Sequence, residues 1–429
     1  MLTGKSILFL VVALPLAAAT FDAGVAKVDL APPVGIPMAG YNVRLAKGTH
    51  DPVEARVLAL SDGVRTLAIV TLDLCFTFEP PAMEEIRKAV APQVGEVIFH
   101  ASHTHSGPTY ASAPDALAAA IPRVASAIRE AAAHLQPARI GTGWGQIYLG
   151  FNRRYVLNNG DIHMFWRNEQ KMSSTFPVDP TVGVIRVDRA SDGSALALLV
   201  HYACHPVVFG PDNLEYSADY PGEMRRGVEE AVPGSMAFFL QGAPGDINPY
   251  YDKTPLIEDA EAMVRDTGRK LAAEAVRVAA TIHTTPGGAL KTKTVIVPAR
   301  NRWNAEKLKA AAAERYHLDP LRTARLLRDN MELPSTTLLI GDSIAFVGMP
   351  GEPFLEFQMQ LRAKSPVAAS FLIGYTNGYF AYFPTIAAAA RGGYGANSTV
   401  NPTEVGTGER LLNTGLISIY DLLGKFAKR

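Results

Sequence analysis

Two histidines one residue apart, His103 and His105, open the run His103-Thr104-His105-Ser106-Gly107-Pro108. The apolar residues Val94, Val97, Ile98 and Phe99 come just before them and read as a buried strand. In an extended backbone residues i and i+2 point to one side, roughly 6.6 Å apart. The two imidazoles are therefore expected to project together where the strand ends. Ser106-Gly107-Pro108 then breaks the strand and lets the backbone turn close to whatever sits there. Such a pair supplies one metal ligand and one acid–base group, or two ligands. The plain alternative is a pair of loop histidines bonded to backbone carbonyls.

A second histidine cluster, His201-Tyr202-Ala203-Cys204-His205-Pro206, again closes an apolar run. On an extended backbone His201 and His205 share a face. Pro206 marks the end of the run and puts His205 at the rim, so His205 is the ligand candidate and His201 reads as a buried, bonded histidine. Gly348-Met349-Pro350-Gly351-Glu352-Pro353 lies between an apolar strand and a helix. Glu352 stands at the helix entrance, before a proline suited to a first turn. It is either a carboxylate facing the helix dipole or a metal ligand. Two neutral imidazoles and one carboxylate are a usual catalytic zinc set with room left for water, and such a metal brings the pKa of that water toward about 7. Asn152-Arg153-Arg154-Tyr155 offers a guanidinium for a developing oxyanion, or simply solvated arginines. Gln241 to Pro249, with Gly245-Asp246-Ile247-Asn248-Pro249 at its end, is a turn-rich strand end that is either a site loop or a plain one. The aromatic stretch Tyr375, Tyr379, Phe380, Tyr382, Phe383 reads as core packing.

The elements that must carry these residues alternate along the chain. Strands are expected over Val53–Leu60, Thr66–Leu74, Val94–Ser102 and Ser235–Gln241. Two hairpins are expected, Val182–Val187 with Ala195–Cys204 across Asp192-Gly193, and Thr336–Ile340 with Ser343–Val347 across Gly341-Asp342. Helices are expected over Pro81–Val90, Asp115–Leu135 with an interruption near Pro122, Tyr220–Val232, Ile257–Ala280, Ala305–Arg315, Phe354–Lys364 and Glu409–Phe426. This interleaving predicts one large α/β unit with helices packed over a mostly buried sheet. The polar clusters recur at strand ends, where open α/β sheets place their sites.

The composition fits a globular protein with a large core: 429 residues, 48% hydrophobic and 19% charged. The 41 basic and 41 acidic side chains balance, which gives no electrostatic case for a nucleic-acid partner. The opening MLTGKSILFLVVALPLAAAT, with Lys5, the apolar stretch Ile7–Leu16 and three alanines, has the pattern of a signal peptide over 1–20; an uncleaved anchor is the alternative. Either way the folded part is expected outside the cytoplasm, secreted or periplasmic. Two cysteines, Cys75 and Cys204, are too few for a disulfide scaffold or a cysteine-based zinc module. They are expected either bridged to each other or as two buried thiols.

In chain order, His-Thr-His-Ser-Gly-Pro, Cys-His-Pro, Gly-Asp-x-x-Pro and Pro-Gly-Glu resemble the neutral/alkaline (non-lysosomal) ceramidase family, zinc-dependent amidases acting on N-acyl sphingosines. The similarity spans most of the chain, from Ala23-Gly24-Val25 and Met38-Ala39-Gly40-Tyr41 to Tyr379–Tyr382. It implies an α/β fold around a large twisted mixed sheet covered by helices, with residues 21–429 forming one zinc-hydrolase domain. It further implies His103, His205, Glu352 and Tyr382 as zinc ligands, His105 as a proton shuttle and Arg153 beside the scissile carbonyl. The substrate would be a small molecule or lipid, and a lipid would bring peripheral contact with membrane; the oligomeric state stays open. Two departures stand out. Where ceramidases carry a serine after Gly-Asp this chain has Asn248, which orients substrate but cannot accept an acyl group. The chain also ends at Arg429, soon after the last expected helix, so the C-terminal immunoglobulin-like domain of the well-known enzymes is not expected here.

The leading expectation is therefore a zinc hydrolase that cleaves an N-acyl amide with metal-activated water. A related metal-dependent hydrolase of another amide, an ester or a carbohydrate is a second reading, prompted by Asn248. A TIM-barrel amidohydrolase also starts from His-x-His, but needs that motif at its first strand. A metal-retaining, inactive binding protein is the non-enzyme alternative.

Overall fold

The computed structural model describes residues 21–41, 44–167, 175–311, 328–398 and 400–427. The leader over 1–20 and the end of the expected helix 305–315 lie outside them; Ala305–Ala311 is helical. The larger sheet contains β1 (Asp22–Asp29), β2 (Glu54–Ser61), β3 (Thr66–Leu72), β4 (Glu96–Ala101), β5 (Gln136–Gln146), β6 (Thr181–Arg189), β7 (Ala195–Tyr202) and β8 (Met236–Gln241). They lie in the order β8-β7-β6-β5-β1-β2-β3-β4, and the short strand Thr285–Pro286 pairs with β5 as the ninth member. A second, four-stranded sheet follows: β9 (Leu290–Arg300), β10 (Asn330–Ile340), β11 (Ile344–Gly348) and β12 (Ala369–Ile373), in that order.

The helices are α1 (Pro80–Val90), α2 (Pro114–Ala133), α3 (Tyr220–Ala231), α4 (Ala260–Ala279), α5 (Leu355–Lys364) and α6 (Thr407–Leu422), besides shorter ones. The molecule is layered helix, sheet, sheet, helix. Leu58, Ile69 and Phe238 of the larger sheet meet Leu338, Phe346 and Phe371 of the smaller one. On its other face Val57, Val70 and Phe99 pack under Ile86, Val124 and Ile128 of α1 and α2. Farther along the same face, Val184, Val200 and Phe239 pack under Met224, Val264 and Leu271 of α3 and α4. Helices α5 and α6 cover the smaller sheet through Phe357, Leu361 and Leu411. Strands buried on both faces read as continuous apolar runs rather than alternating ones, and β3 shows why. Leu67 and Ile69 face the second sheet, while Ala68, Val70 and Leu72 face the helices.

Within these two sheets pairing is antiparallel except for β3–β4, β7–β8 and β11–β12. Each parallel pair encloses one crossover helix, α1, α3 or α5, as parallel pairing requires. The C-terminal ends of these pairs meet. His100 on β4 ties them: its Nδ1 lies 2.8 Å from the Gly374 carbonyl after β12, and its Nε2 accepts from the Gln241 amide of β8 at 2.8 Å. The two outermost strands of the larger sheet are thus brought to one place together with the end of the smaller sheet.

Both expected hairpins form, with positive φ at Gly193 and Gly341. The α/β architecture with a large helix-covered mixed sheet is as expected, and it is no TIM barrel, since most of its pairs are antiparallel. Helix α2, however, runs through Pro122 without a break. Pro122 is exposed, so the carbonyl its ring leaves unbonded faces water, while Ile121, Val124 and Ile128 hold the helix to the core. Strand β5 carried no usable signal because Gly141, Gly143 and Gly145 dilute its apolar pattern. They are the price of close packing: a Cβ at Gly141 would lie 2.6 Å from the His283 carbonyl oxygen, and one at Gly143 would lie 2.8 Å from Ile282. Cys75 and Cys204 are separate buried thiols. No described helix is long and apolar enough to cross a membrane.

Candidate metal centre and active site

Six of the seven candidate residues follow strand ends of this convergence, His103 and His105 after β4, His205 after β7, Asn248 after β8, Glu352 after β11 and Tyr382 after β12, while Arg153 lies between the short strands Gly150–Asn152 and Arg154–Val156. His103, His205 and Glu352 are buried, and their ligand atoms lie within 4.8 Å of one another. Glu352 Oε2 is 3.1 Å from His205 Nε2 and 3.6 Å from His103 Nε2. The far nitrogens explain the arrangement. His103 Nδ1 sits 2.7 Å from the Cys75 carbonyl oxygen, and His205 Nδ1 sits 2.9 Å from that of Ile247. A ring nitrogen meets a carbonyl only by donating its hydrogen. In the neutral ring the lone pair is then left on Nε2. Burial lowers the pKa of His103 to about 4, although Glu352 pulls the other way, so its ring is neutral at ordinary pH. Burial alone would raise Glu352, but the facing histidines and the bond from Tyr379 outweigh it and leave the carboxyl ionised, at about 2. Two imidazole Nε2 atoms and a carboxylate oxygen are thus turned on one point, where a cation would meet all three. This donor set, oriented by backbone carbonyls, fits a divalent metal.

Around it stands a second set. Tyr379 donates to Glu352 Oε1 at 2.5 Å, and Tyr375 stacks on the His103 ring at 4.2 Å. His105 Nε2 is 3.1 Å from His103 Nε2, while its buried Nδ1 has no hydrogen-bond partner among the described residues. Burial, then the neighbouring His103 and His205, lower the pKa of His105 well below the usual histidine value. Arg153, fully buried, donates from Nη1 to Asn248 Oδ1 at 3.1 Å and from Nη2 to the Gly245 carbonyl at 2.6 Å and to Tyr382 Oη at 3.2 Å. Its Nε has no partner among the described residues, and its guanidinium carbon lies over Trp166, Tyr382 and Tyr394. Asn248 Nδ2 donates to Asp252 Oδ2 at 2.5 Å. The Asn248 amide is therefore held with its oxygen toward Arg153.

No protein-family model matches the chain, and no curated relative matches it either. Solved structures do. The neutral ceramidase of Pseudomonas aeruginosa superposes with a TM-score of 0.75 at 18% identity, over 96% of this chain and 76% of that one. A structure of a ceramidase complexed with C2 gives the same figures. The fold is that of neutral ceramidase.

Within this ceramidase fold the seven residues singled out from the sequence form one continuous cluster, but not always by the route expected. His103 and His105 do not converge by strand alternation, because β4 ends at Ala101 and His103 has φ +71°. A left-handed turn swings the rings edge to face, with centroids 4.7 Å apart. His201 is the buried, bonded histidine, with Nε2 2.8 Å from the Leu372 carbonyl oxygen. Glu352 is not at a helix entrance. Glu352-Pro353 pairs in parallel with Tyr382-Phe383, and α5 begins only at Leu355. This pairing sets Tyr382 beside Glu352, yet the phenol hydrogen-bonded to that carboxylate is the Tyr379 hydroxyl. In the sequence Tyr379 reads as one of the core aromatics, and nothing in local spacing separates it from Tyr382. Asp252 and the orienting carbonyls of Cys75 and Ile247 carried no signal at all, since a backbone oxygen or a lone loop carboxylate has no motif.

Proposed function

We propose that this protein is a zinc-dependent hydrolase that cleaves an N-acyl amide bond, in ceramide or a related N-acyl lipid, by metal-activated water. The observation that carries the reading is the convergence of His103 Nε2, His205 Nε2 and Glu352 Oε2, with each imidazole anchored through Nδ1 on a backbone carbonyl. Tyr382, paired beside Glu352, is the fourth ligand in this reading. The ceramidase fold supports it, and so does a relative of that fold crystallised with C2. Zinc bound there would polarise the scissile carbonyl and bring the pKa of a water toward about 7.

The chain's own residues supply the rest. His105, neutral and next to His103, takes the water's proton and passes it to the leaving nitrogen. A C–O bond forms, the C–N bond breaks, and the products are a carboxylic acid and an amine. Arg153 steadies the carbonyl oxygen as charge develops there. Asn248 is no nucleophile; its oxygen holds Arg153 in place. This firmly bonded asparagine is also what favours the second reading, the same metal chemistry on another amide, an ester or a carbohydrate, or a metal-retaining protein without turnover. Residues 21–429 act in this proposal as one domain, secreted or periplasmic behind a signal peptide. The test is metal analysis of purified protein followed by hydrolysis assays on short- and long-chain ceramides. Bound zinc and released fatty acid are expected. Replacing His103, His205 and Glu352 together should remove both, and full metal content in that triple variant defeats the assignment.

A further inference from the structure

Lys253 has no role in the reaction just described, yet it lies beside the same centre. Its ammonium donates to Asp252 Oδ1 at 2.6 Å, and Asp252 is fully buried while the Lys253 side chain stays 26% exposed. The backbone holds it there. Lys253 has φ +52°, a conformation that lysine rarely adopts, and its amide donates to the Val207 carbonyl at 2.7 Å, two residues after His205. The Lys253 ammonium and the Arg153 guanidinium each lie 5.2 Å from the Trp166 ring, which thus stands against both cations. Lys253 is also among the positive charges that disfavour protonation of His105.

Among the described residues Asp252 is the one carboxylate bonded to Lys253, and its second oxygen is already taken by Asn248, whose own oxygen accepts from Arg153. An ammonium carries three donors. One meets Asp252, and among the described residues the other two meet no acceptor at this partly exposed end of the network. A neutral N-acyl sphingosine brings no negative charge to that ammonium. An acidic group attached near the scissile amide does, and a charge-assisted bond at a partly desolvated rim is stronger than a neutral one.

We propose that Lys253 is a specificity-determining residue that binds an anionic group on the substrate, so that the preferred substrates are N-acyl amides bearing a carboxylate next to the scissile bond, as in N-acyl amino acids. This rests on the amide-hydrolase reading and narrows its substrate class. The probes are N-dodecanoylglycine and its neutral counterpart N-(2-hydroxyethyl)dodecanamide. Their binding is measured by calorimetry and their hydrolysis by amine release, on zinc-loaded wild type, Lys253→Met and Lys253→Arg. Wild type should bind the acidic probe at least about tenfold tighter than the neutral one. Lys253→Met should bring that ratio close to one, and Lys253→Arg should keep most of it. Equal affinities in wild type, or a ratio that survives Lys253→Met, overturns the proposal. A Lys253-dependent preference in binding without hydrolysis of either probe upholds it and sinks the amidase reading instead.

Discussion

At the residue scale the two histidines of His103-Thr104-His105 do different work because their second nitrogens differ. His103 Nδ1 is anchored on the Cys75 carbonyl, whereas His105 Nδ1 has no partner among the described residues. In the proposed reading the anchored ring holds the metal and the unanchored one exchanges the proton. His105→Ala should therefore retain zinc by elemental analysis while kcat falls about 10²–10⁴-fold, the range for a lost acid–base group. Zinc loss matching that of His103→Ala would make His105 a ligand instead. Tyr379 acts one step farther out, since its hydroxyl fixes the Glu352 carboxylate through Oε1. Tyr379→Phe should weaken zinc binding about 10–100-fold in competition with a chelator. Unchanged affinity would show that the carboxylate needs no such support.

At the element scale, the three crossover units set the site by ending their parallel pairs together, and the helices above them tolerate local faults. Helix α2 keeps Pro122 in its interior because the apolar face of the helix is buried while the proline faces water. The missing hydrogen bond and the ring's clash with the preceding turn still cost free energy. Alanine gives back some chain entropy in the unfolded state, about 0.4–1 kcal/mol. Pro122→Ala should accordingly stabilise the protein by about 2 kcal/mol net, read as a higher urea midpoint at unchanged slope. A lower midpoint would mean that the proline itself is needed for packing.

At the scale of the whole molecule, two buried histidines join layers rather than bind metal. His100 links β4, β8 and the end of β12, and His201 links β7 to β12 through the Leu372 carbonyl. Burial lowers His100 to about 3 and His201 to about 4. The unfolded chain takes up these protons near pH 6.5, but the native state stays neutral until far lower pH. Stability is thus fully present above about pH 6.5 and falls as the solution is acidified, by up to about 1.4 kcal/mol per pH unit for each histidine. Between pH 7 and pH 5 the pair should contribute a loss of about 2–4 kcal/mol in unfolding free energy. In His201→Gln the slope of stability against pH over that interval should be shallower. An unchanged slope would show that His201 is not held neutral by its burial between the sheets.

Residue types and order along the chain carried the chemistry of this protein: His103, His105, His205 and Glu352 are donors wherever they stand, and each follows an apolar run that had to be a strand. Those runs were legible because strands buried on both faces are apolar throughout, and the turns because Asp192-Gly193 and Gly341-Asp342 meet their own backbone demands. Strand β5 was hidden because its glycines answer to helix α4 and the residues Ile282 and His283 just after it, more than a hundred residues later. Only the folded chain decided that Tyr379 rather than Tyr382 bonds Glu352, that His103 turns inward at positive φ, and that Lys253 stands beside Arg153. Those outcomes depend on contacts between segments far apart in sequence, which no local spacing encodes.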